Sequence, residues 1–468
     1  MTYELEPQSI AEQFEALVEN GEKLEIASFL NEQNISDVVD LIEEFPDYES
    51  QIVSAMSTHR ASSVFKMLDF SIQKRIISEL SPIKTSELLN DLPPDDRTEF
   101  LEELPNDQLR DLLKLLDPSE VKVTLKLLGY PEDSVGRLMT TDYVYVYETD
   151  TVKEAFQTIR KVGKNSETID VIYVINKVGQ LIDDLRIRDL ILASPDALIA
   201  DIIDDRFISL KATDDQEHAS QIFKKNNRVA IPVTGDHDIL LGIVTIDDIL
   251  WVTNEEFSED MQKMGGTEAL DQPYLDTPFF QLIKKRAGWL IILFISELLT
   301  ATAMAYFNDE IAKATILAMF IPLIMSSGGN SGSQASTLII QAMAVGDVSI
   351  SDWWRVMRRE FLSGIVLGSI LGIIGFVRIW IWHILMSHGV FDDIYGPHWI
   401  LIAGTVAISL LGIVLWGTFS GSMLPILLKK IGADPAASSA PFVATLVDVT
   451  GILIYFSVAY LFLRGIML

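Results

Sequence analysis

The chain has 468 residues, enough for two or three domains, and a formal net charge of −30. It contains no cysteine, which excludes disulfides and thiolate metal sites. The acidity argues against a nucleic-acid partner, because the phosphates would repel it. Acidic residues in this number either bind cations or simply form a solubilising surface, and composition alone favours the solubilising surface.

The charge is concentrated in one half of the chain. Positions 281–468 contain 11 Lys or Arg and 10 Asp or Glu, a net of +1, which leaves a net of −31 on the part before them. An acidic, soluble half therefore precedes a nearly neutral, apolar half. The N-terminal segment, MTYELEPQSI, has no basic or apolar signal region, so we predict no signal peptide and a cytoplasmic soluble half.

Residues 1–130 are predicted to form an acidic, all-α superhelical domain. Apolar residues recur at intervals of three and four residues, the period of an α-helix. Breaks between these runs follow at nearly even spacing: SP at 81–82, LPPDD at 92–96 and LPND at 104–107. Asp95, Asp96 and Asp107 lie at these breaks, where Asp is a favourable helix N-cap. Capping is the simplest interpretation of these three acids.

Residues 131–253 contain a tandem α/β repeat. DLRIRDLIL at 184–192 matches IVTIDDILW at 243–251, and short β-rich runs alternate with helical runs in both copies. The repeat resembles a pair of CBS domains. That resemblance implies that Thr245 and Asp248, which follow Gly242, contact the phosphate and ribose of an adenine nucleotide. The first copy has Asp183 and Arg186 at the Gly and Thr positions, so a scaffold without nucleotide is an equal alternative.

Residues 254–280 are predicted to form a connecting helix. The segment EEFSEDMQKM places Glu256, Glu259 and Asp260 on one helical face. Like charges at this spacing repel one another. Such a face is either well solvated or holds a cation, and solvated faces are commoner.

The remainder, 281–468, is predicted to be an all-α membrane domain with five spans, since each of five apolar runs reaches the length of about 20 residues that crosses hydrocarbon. The runs are Ala287–Phe307, about Ala318–Val345, Phe361–Leu385, Trp399–Leu428 and Phe442–Leu463. Basic residues precede the first and third runs and follow the fourth, which by the positive-inside rule places the N-terminus in the cytoplasm. Buried helices of a soluble protein are the less favoured alternative.

Several polar residues fall within these runs and have no matching row of Lys or Arg. The second run, with its SSGGNSGSQAS stretch, indicates either close helix packing through small residues or a pore lining, and we favour the pore. Carboxylates, amides and hydroxyls without basic partners suit a hydrated hard cation such as Mg²⁺. The candidate pore residues are Glu297, Asn330, Gln334, Thr418, Asp434, Thr445 and Asp448.

Asp434 also has a purely structural interpretation. Asp434–Pro435 reads as an N-cap followed by Pro at the first position of the last helix. Capping and ion binding are about equally supported by the residues, and one carboxylate can do both. Asp448 would lie about 21 Å further along a continuous helix, so the two acids are not expected to share an ion.

With these residues assembled, the chain resembles the MgtE family of magnesium transporters over nearly its full length. The resemblance rests on the order of domains and on PLIMSSGGNSGSQASTLIIQAM and GADPAASSAPFVATLVDVTGILIYF. It implies a homodimer in the cell (inner) membrane with a channel-like path for Mg²⁺. It also implies that intracellular Mg²⁺ binds between the N-domain, the CBS pair and the connecting "plug" helix and closes the path.

The resemblance assigns roles residue by residue. Asp434 resembles the pore acid that holds hydrated Mg²⁺, and the regulatory ligands implied are Asp248, Glu256, Glu259 and Asp260, with Asp95, Asp96 and Asp142 as weaker candidates. ATP is a candidate ligand of the CBS pair. The chain departs from the family pattern at Gln341, where a basic residue is expected, and at Asn227 and Trp251, where some members have acids.

Three alternatives remain beside a Mg²⁺ channel. A transporter of another divalent cation, such as Mn²⁺ or Co²⁺, would use similar oxygen ligands. A membrane-anchored nucleotide sensor would use the CBS pair, with the membrane helices as a structural anchor. An enzyme is not expected, since the six His are scattered and no nucleophile–base spacing appears.

Overall fold

The computed structural model describes residues 9–20, 23–204, 206–270, 272–275, 277–390, 392 and 394–467. The chain divides into two compact units, Met1–Asn254 and Glu255–Leu468. The predicted sequence of an all-helical part, an α/β repeat and a set of apolar helices is confirmed.

The N-terminal part consists of short helices around one apolar core. In the residues that the structure describes there are ten α-helices, α1 to α10: Ile10–Asn20, Lys23–Glu32, Ile35–Glu44, Glu49–Ala55, Thr58–Phe65, Phe70–Glu79, Pro82–Asp91, Pro94–Glu102, Asn106–Leu113 and Pro118–Leu127. Helix α3 is an example of the helical period, because its buried residues Leu41 and Ile42 follow the buried Val38 by three and four residues. In the core, the rings of Phe65 and Phe100 pack edge to face, with 5.4 Å between their centroids.

The acids at the helix breaks are not N-caps, so the capping interpretation is wrong. The N-cap positions of α8 and α9 are Pro93 and Pro105, and neither cap has a side-chain hydrogen bond. Asp95 and Asp96 lie instead in the first turn of α8, and Asp107 lies in the first turn of α9. There the helix dipole favours an acid, but their side-chain oxygens are not used to start the helix.

The α/β repeat forms two three-stranded sheets with the same topology. The strands β1 to β6 are Tyr145–Tyr147, Val171–Ile175, Leu181–Arg186, Leu210–Lys211, Ala230–Thr234 and Leu240–Thr245, and the helices α11 to α14 are Val135–Leu138, Val152–Val162, Ile187–Leu192 and Gln216–Asn226. In each sheet the first strand pairs parallel with the second, which pairs antiparallel with the third. The register shift at Val174/Ile175 recurs at Val233/Thr234, the matching position of the second copy, so the predicted internal repeat is confirmed in its fine detail.

The connecting segment differs from the prediction. A single helix, α15, runs over Ile246–Met264, so it begins at the end of the second CBS copy and stops well before residue 280. Gly265 and Gly266 follow it, and Gly266 has a φ of +76°, a left-handed conformation that ends helices and favours glycine.

The C-terminal unit is built from long apolar helices. Helices α16 to α22 are Phe279–Tyr306, Asn308–Lys313, Thr315–Ala318, Ile321–Ala344, Trp353–Ser387, Trp399–Lys430 and Ala440–Leu463. In the described part of the chain, four stretches are long and apolar enough to cross a membrane: Phe279–Tyr306, Ile350–Ser387, Gly396–Lys430 and Ala440–Leu463. Helix α19 has 24 residues but is less apolar, because Ser, Gly, Asn and Gln interrupt it, so the fifth span stays a prediction.

Helix α19 is regular from end to end, and its small residues allow close packing against α21. A β-carbon added at Gly421 would lie 2.1 Å from the carbonyl oxygen of Gly332, and one at Gly417 would lie 2.5 Å from that of Gly328. Such distances are possible only where two helix backbones touch. The glycines of the second run therefore serve helix packing, the alternative that the sequence left less favoured.

This packing predicts the effect of one added methyl group. Gly421→Ala should lower the stability of the C-terminal unit by about 1–3 kcal/mol, since neither backbone can move aside without cost. Gly404→Ala, on the same helix, is the control, because a β-carbon there meets nothing within 4 Å; alanine should leave it unchanged or slightly more stable. Thermal unfolding of the full chain in detergent measures both, and equal midpoints would contradict the packing account.

Candidate functional site

Asp434 lies in the turn that joins α21 to α22. Helix α21 ends at Lys430, and Gly432 turns the chain with a φ of +80°. One carboxylate oxygen of Asp434, Oδ1, accepts a hydrogen bond from the backbone N–H of Ala436 at 2.8 Å. Asp434 is thus the N-cap of a single 3₁₀ turn, Pro435–Ala437, and the prediction that it caps the last helix is wrong.

The last helix has its own cap and is held by neighbouring helices. Ser439 is the N-cap of α22 and accepts from the N–H of Phe442, so no continuous helix joins Asp434 to Asp448. The indole N–H of Trp289 on α16 donates to the Ser439 hydroxyl at 3.0 Å. From α19, the Ser336 hydroxyl donates to the backbone carbonyl of Ser438 at 2.9 Å. These bonds fix the loop that carries Asp434.

The second carboxylate oxygen of Asp434 faces a lysine. Its Oδ2 lies 2.8 Å from Nζ of Lys263, the penultimate residue of α15, and the Asp434 side chain is 37% exposed. Lys263 also pairs with Glu259, four residues earlier on the same helix. Glu256 and Asp260 are half-buried on this helix. The acidic face of α15 is therefore partly neutralised within the chain, which the sequence analysis did not anticipate.

The other predicted pore residues fall into three groups. Asn330 and Gln334 are on α19, one turn apart, and both are exposed, as is Glu297 on α16. Thr445 and Asp448 are on α22, where Thr445 is half-buried and Asp448 is half-buried as well. Thr418 is buried, and its hydroxyl donates to the carbonyls of Val414 and Leu415 on its own helix. The hydrogen bonds of Thr418 are therefore made within α21, and its role in a pore stays a prediction.

A second cluster of acids lies in the first unit, where the N-domain meets the CBS pair. Asp95 is 7% exposed, and its Oδ1 has no hydrogen-bond partner in the part of the chain that the structure describes. Asp96 pairs with Lys66 at 3.2 Å, and Glu167 lies 3.7 Å from the same ammonium. Asp248 accepts from the Thr245 hydroxyl at 2.5 Å. One lysine therefore faces several carboxyl groups.

The environment of this cluster disfavours negative charge. Burial, followed by the charge of Asp248, raises the pKa of Asp95 well above its ordinary value. Burial also raises the pKa of Asp248 to about 7, although the hydrogen bond from Thr245 works against this. Burial raises the pKa of Asp96 to about 6 despite Lys66. Burial alone would lower the pKa of Lys66, but the surrounding carboxylates raise it.

Asp142 lies in a related environment. Burial raises its pKa to about 6, with a further increase from the charge of Glu120 and a decrease from Arg97. Arg97 is fully buried and donates to Glu120 at 2.5 Å and to the carbonyls of Leu89 and Leu92. Asp142 is nevertheless an exposed residue, and the arginine that lowers its pKa already has its own partners.

Neither cluster is a preformed metal cage. Among the residues that the structure describes, no three Asp, Glu or His side chains converge closely enough to hold a metal ion directly. Asp95 and Asp248 fit a cation by chemistry, since one has an unpartnered buried oxygen and both resist negative charge. An ion that keeps most of its water ligands, as Mg²⁺ usually does, needs only a few carboxylates.

The two CBS copies differ at the position of the nucleotide motif. In the second copy, a β-carbon added at Gly242 would lie 2.5 Å from the Thr140 carbonyl, so glycine is required there. In the first copy, Asp183 is 1% exposed and its carboxylate accepts from the N–H groups of Asp184 and Asp204, both at 2.8 Å. The first copy therefore uses this position for an internal hydrogen-bond network. Thr245 and Asp248, the predicted nucleotide contacts, bond to each other in the second copy.

Three residues of these clusters were missed by the sequence analysis. Lys263 had a signal, because it follows Glu259 by one helical turn in EDMQK, a spacing that forms helical ion pairs. Lys66 and Glu167 had none, since they lie far apart in the sequence and meet Asp96 only through the tertiary fold.

Comparison with known proteins gives matches in the helical N-domain, in the α/β repeat and in the apolar helices. Residues 321–458 match MgtE, a divalent cation transporter family, and residues 33–133 match the MgtE intracellular N domain. Residues 135–196 and 199–254 each match the CBS domain.

Individual relatives and solved structures agree. The chain is 36% identical over 337 residues to the magnesium transporter MgtE of Thermus thermophilus, which is 72% of each chain. It is 32% identical to that of Enterococcus faecalis over 335 residues, 72% of this chain and 70% of the relative. A crystal structure of the cytosolic domain of the Mg²⁺ channel MgtE in complex with ATP superposes with a TM-score of 0.50 at 30% identity, covering 52% of this chain and 99% of that one.

The solved soluble part of a magnesium transporter also matches, with a TM-score of 0.50 at 29% identity over 53% of this chain and 99% of that chain. The helical N-domain, the CBS pair and the apolar helices found here correspond to the matched family regions. The chain belongs to the MgtE family of magnesium transporters.

Proposed function

We propose that this protein carries Mg²⁺ across the cell membrane along a path whose cytoplasmic mouth is marked by Asp434. The observation that carries the proposal is the carboxylate of Asp434, fixed in a turn between two apolar helices with one oxygen directed at a cation, the Lys263 ammonium. The names of the relatives, all magnesium transporters, support the choice of ion.

The chemistry of the path supports a hydrated divalent ion. Asp448 and Glu297 lie on apolar helices, and within the described residues neither has an ion pair with Lys or Arg. Charges of this kind are stable at such depth only beside water or a cation. The amides of Asn330 and Gln334 can bond to the water shell of Mg²⁺ without removing it.

A homodimer with a cytoplasmic N-terminus completes the proposal. In the most apolar 18-residue stretch of α16, only 6% is buried within the chain. This helix therefore presents an apolar surface to lipid or to a second copy. In a symmetric dimer, two copies of Asp434 near the axis would bind a divalent ion more strongly than either alone. The basic residues flanking the spans support the orientation.

The acid cluster of the first unit is proposed to sense intracellular Mg²⁺. Asp95, Asp96 and Asp248 are costly to keep charged, and a bound cation removes that cost as a proton does. Mg²⁺ would therefore hold the N-domain on the CBS pair and close the path, whereas loss of Mg²⁺ would loosen it. Glu256, Glu259, Asp260 and Asp142 are proposed to contribute in the same way. ATP is a candidate ligand at Thr245 and Asp248, because the matched cytosolic domain was solved with ATP.

The pore assignment predicts the loss of transport when the carboxylate is removed. Asp434→Ala should abolish Mg²⁺ uptake, whereas Asp309→Asn, an acid outside the predicted path, should retain it. Uptake is measured by growth of a cell that lacks its own Mg²⁺ transporters and by flux into liposomes. Because Asp434 also caps a turn, Asp434→Asn is needed beside it: asparagine keeps the cap, so its failure to transport isolates the charge. Normal growth with either variant would refute the pore role of Asp434.

The sensor assignment predicts a pH dependence of a definite sign. The folded-state pKa values of Asp248 and Asp96, about 7 and 6, lie above the ordinary value near 4, so the stability that protonation provides is complete below about pH 4 and is lost as the pH rises to about 7. With a chelator present, the unit should therefore be less stable at pH 8 than at pH 5, by roughly 1–3 kcal/mol from Asp248.

Asp248→Asn should remove the part of that dependence that Asp248 contributes, because asparagine does not titrate, and it should keep the fold, because asparagine still accepts the Thr245 hydrogen bond. Asp196→Asn, an exposed acid of the same CBS pair, is the matched control. The stability of the unit is measured by amide hydrogen exchange in α8 of the full chain, with the rates corrected for intrinsic exchange. Millimolar Mg²⁺ should slow exchange at pH 8 in the wild type more than in Asp248→Asn. Equal slowing in both would contradict a role of Asp248 in sensing.

Gating predicts that Mg²⁺ also protects the segment at the start of the second unit. Limited proteolysis in residues 255–280 should be slower at high Mg²⁺ than in chelator, because ions hold the acidic helix face against its neighbours. The fraction of full-length chain remaining after a fixed time is the measurement. Cleavage at one rate in both conditions would count against gating through this segment.

A further inference from the structure

The end of α15 places a positive charge on the proposed pore acid. Nζ of Lys263 lies 2.8 Å from Oδ2 of Asp434 and also pairs with Glu259. The Lys263 side chain is 31% exposed and that of Glu259 35% exposed, so the group is partly shielded from water. An ammonium between two carboxylates occupies the position that a bridging cation would take.

This contact is not made by a loose side chain alone, because the backbone after Lys263 is packed against the membrane helices. A β-carbon added at Gly266 would lie 2.9 Å from the Trp289 ring of α16 and 3.1 Å from Pro441 of α22. The N–H of Glu268 donates to the carbonyl of Lys285 at 3.1 Å. The turn that follows α15 is therefore docked on the same loop region that carries Asp434.

Glu259 fixes the direction of the lysine. At a spacing of one turn on a helix, a Glu preceding a Lys pairs with it favourably and holds its stem along the helix surface. Glu259 also offers Lys263 a partner that it keeps when Asp434 is taken by another cation. The ammonium can leave Asp434 without becoming an isolated charge.

We propose that Lys263 is a tethered competitor of the transported cation at Asp434. The proposal rests on the function proposed above, in which Asp434 binds the ion. When α15 is docked, the ammonium neutralises Asp434 and lowers its affinity for Mg²⁺. An entering ion must displace Lys263 onto Glu259, or α15 must move away and take the ammonium with it. Lys263 thus sets the Mg²⁺ concentration at which the path fills.

The test is Mg²⁺ flux into liposomes as a function of external Mg²⁺. Lys263→Gln should lower the half-saturating Mg²⁺ concentration by about two- to fivefold, the range expected for a partly exposed ion pair. Lys263→Arg should resemble the wild type. Lys430→Gln, at the exposed end of α21, controls for the loss of a positive charge in this region and should leave the concentration unchanged.

The absence of cysteine from the chain allows a second test that separates charge from packing. Lys263→Cys is purified, labelled with an aminoethyl methanethiosulfonate, which restores an ammonium, or with the uncharged methyl reagent, and then reconstituted. The ammonium label should return the half-saturating concentration toward that of the wild type, and the methyl label should not.

Each outcome bears on a different claim. If wild-type protein carries Mg²⁺ but Lys263→Gln has the wild-type half-saturation, or if both labels act alike, Lys263 has only a structural role and the competitor proposal is wrong. If the wild type carries no Mg²⁺ under any condition, the proposed function itself fails, and the role of Lys263 falls with it.

Discussion

A carboxylate that is removed from water must be neutralised, and both functional regions of this protein are arranged around that constraint. In the first unit, Asp95 is almost fully buried with an oxygen that has no hydrogen-bond partner among the described residues, and Lys66 is shared between Asp96 and Glu167. In the second, Asp434 meets the ammonium of Lys263. Each region is stable as it stands only with a proton, a lysine or an added cation.

The close contact of α19 and α21 gives the second region its shape. Glycines at Gly328 and Gly332 let the backbones touch. Ser336, one turn after Gly332, holds the loop before α22, whereas Asn330 stands exposed on another face of the helix. The small residues that were predicted to line a pore therefore pack the two helices together and position the loop that carries Asp434.

Much of the architecture could be predicted from sequence because its signals are local or periodic. The helical N-domain follows from three-four spacing, and the repeated sheets follow from a constant offset between the two copies that reaches even the bulges. Details that depend on a single hydrogen bond were not predictable in this way. Asp434 caps a 3₁₀ turn because Ser439 takes the cap of α22, and an Asp–Pro pair gives no indication of that.

The clusters depended on contacts between distant segments. Asp95 and Asp96 are in α8 but not at its cap, and nothing in LPPDD shows that Lys66 and Glu167 surround them. At Asn227, where an acid was expected from the family, the residue ends α14 with a φ of +50°, a conformation that asparagine tolerates better than most residues. Asparagine at this position therefore suits the backbone conformation, and its lack of a carboxylate is consistent with fewer ligands for regulatory Mg²⁺.

The central claim is that the path selects Mg²⁺ and is closed by it from the cytoplasmic side. Flux of a series of divalent cations into liposomes, with internal Mg²⁺ varied, tests both parts at once. The account predicts Mg²⁺ flux well above that of Mn²⁺, Co²⁺ and Ca²⁺, and a decrease in that flux as internal Mg²⁺ rises. Equal flux of all four ions, or Mg²⁺ flux that is independent of internal Mg²⁺, would contradict it.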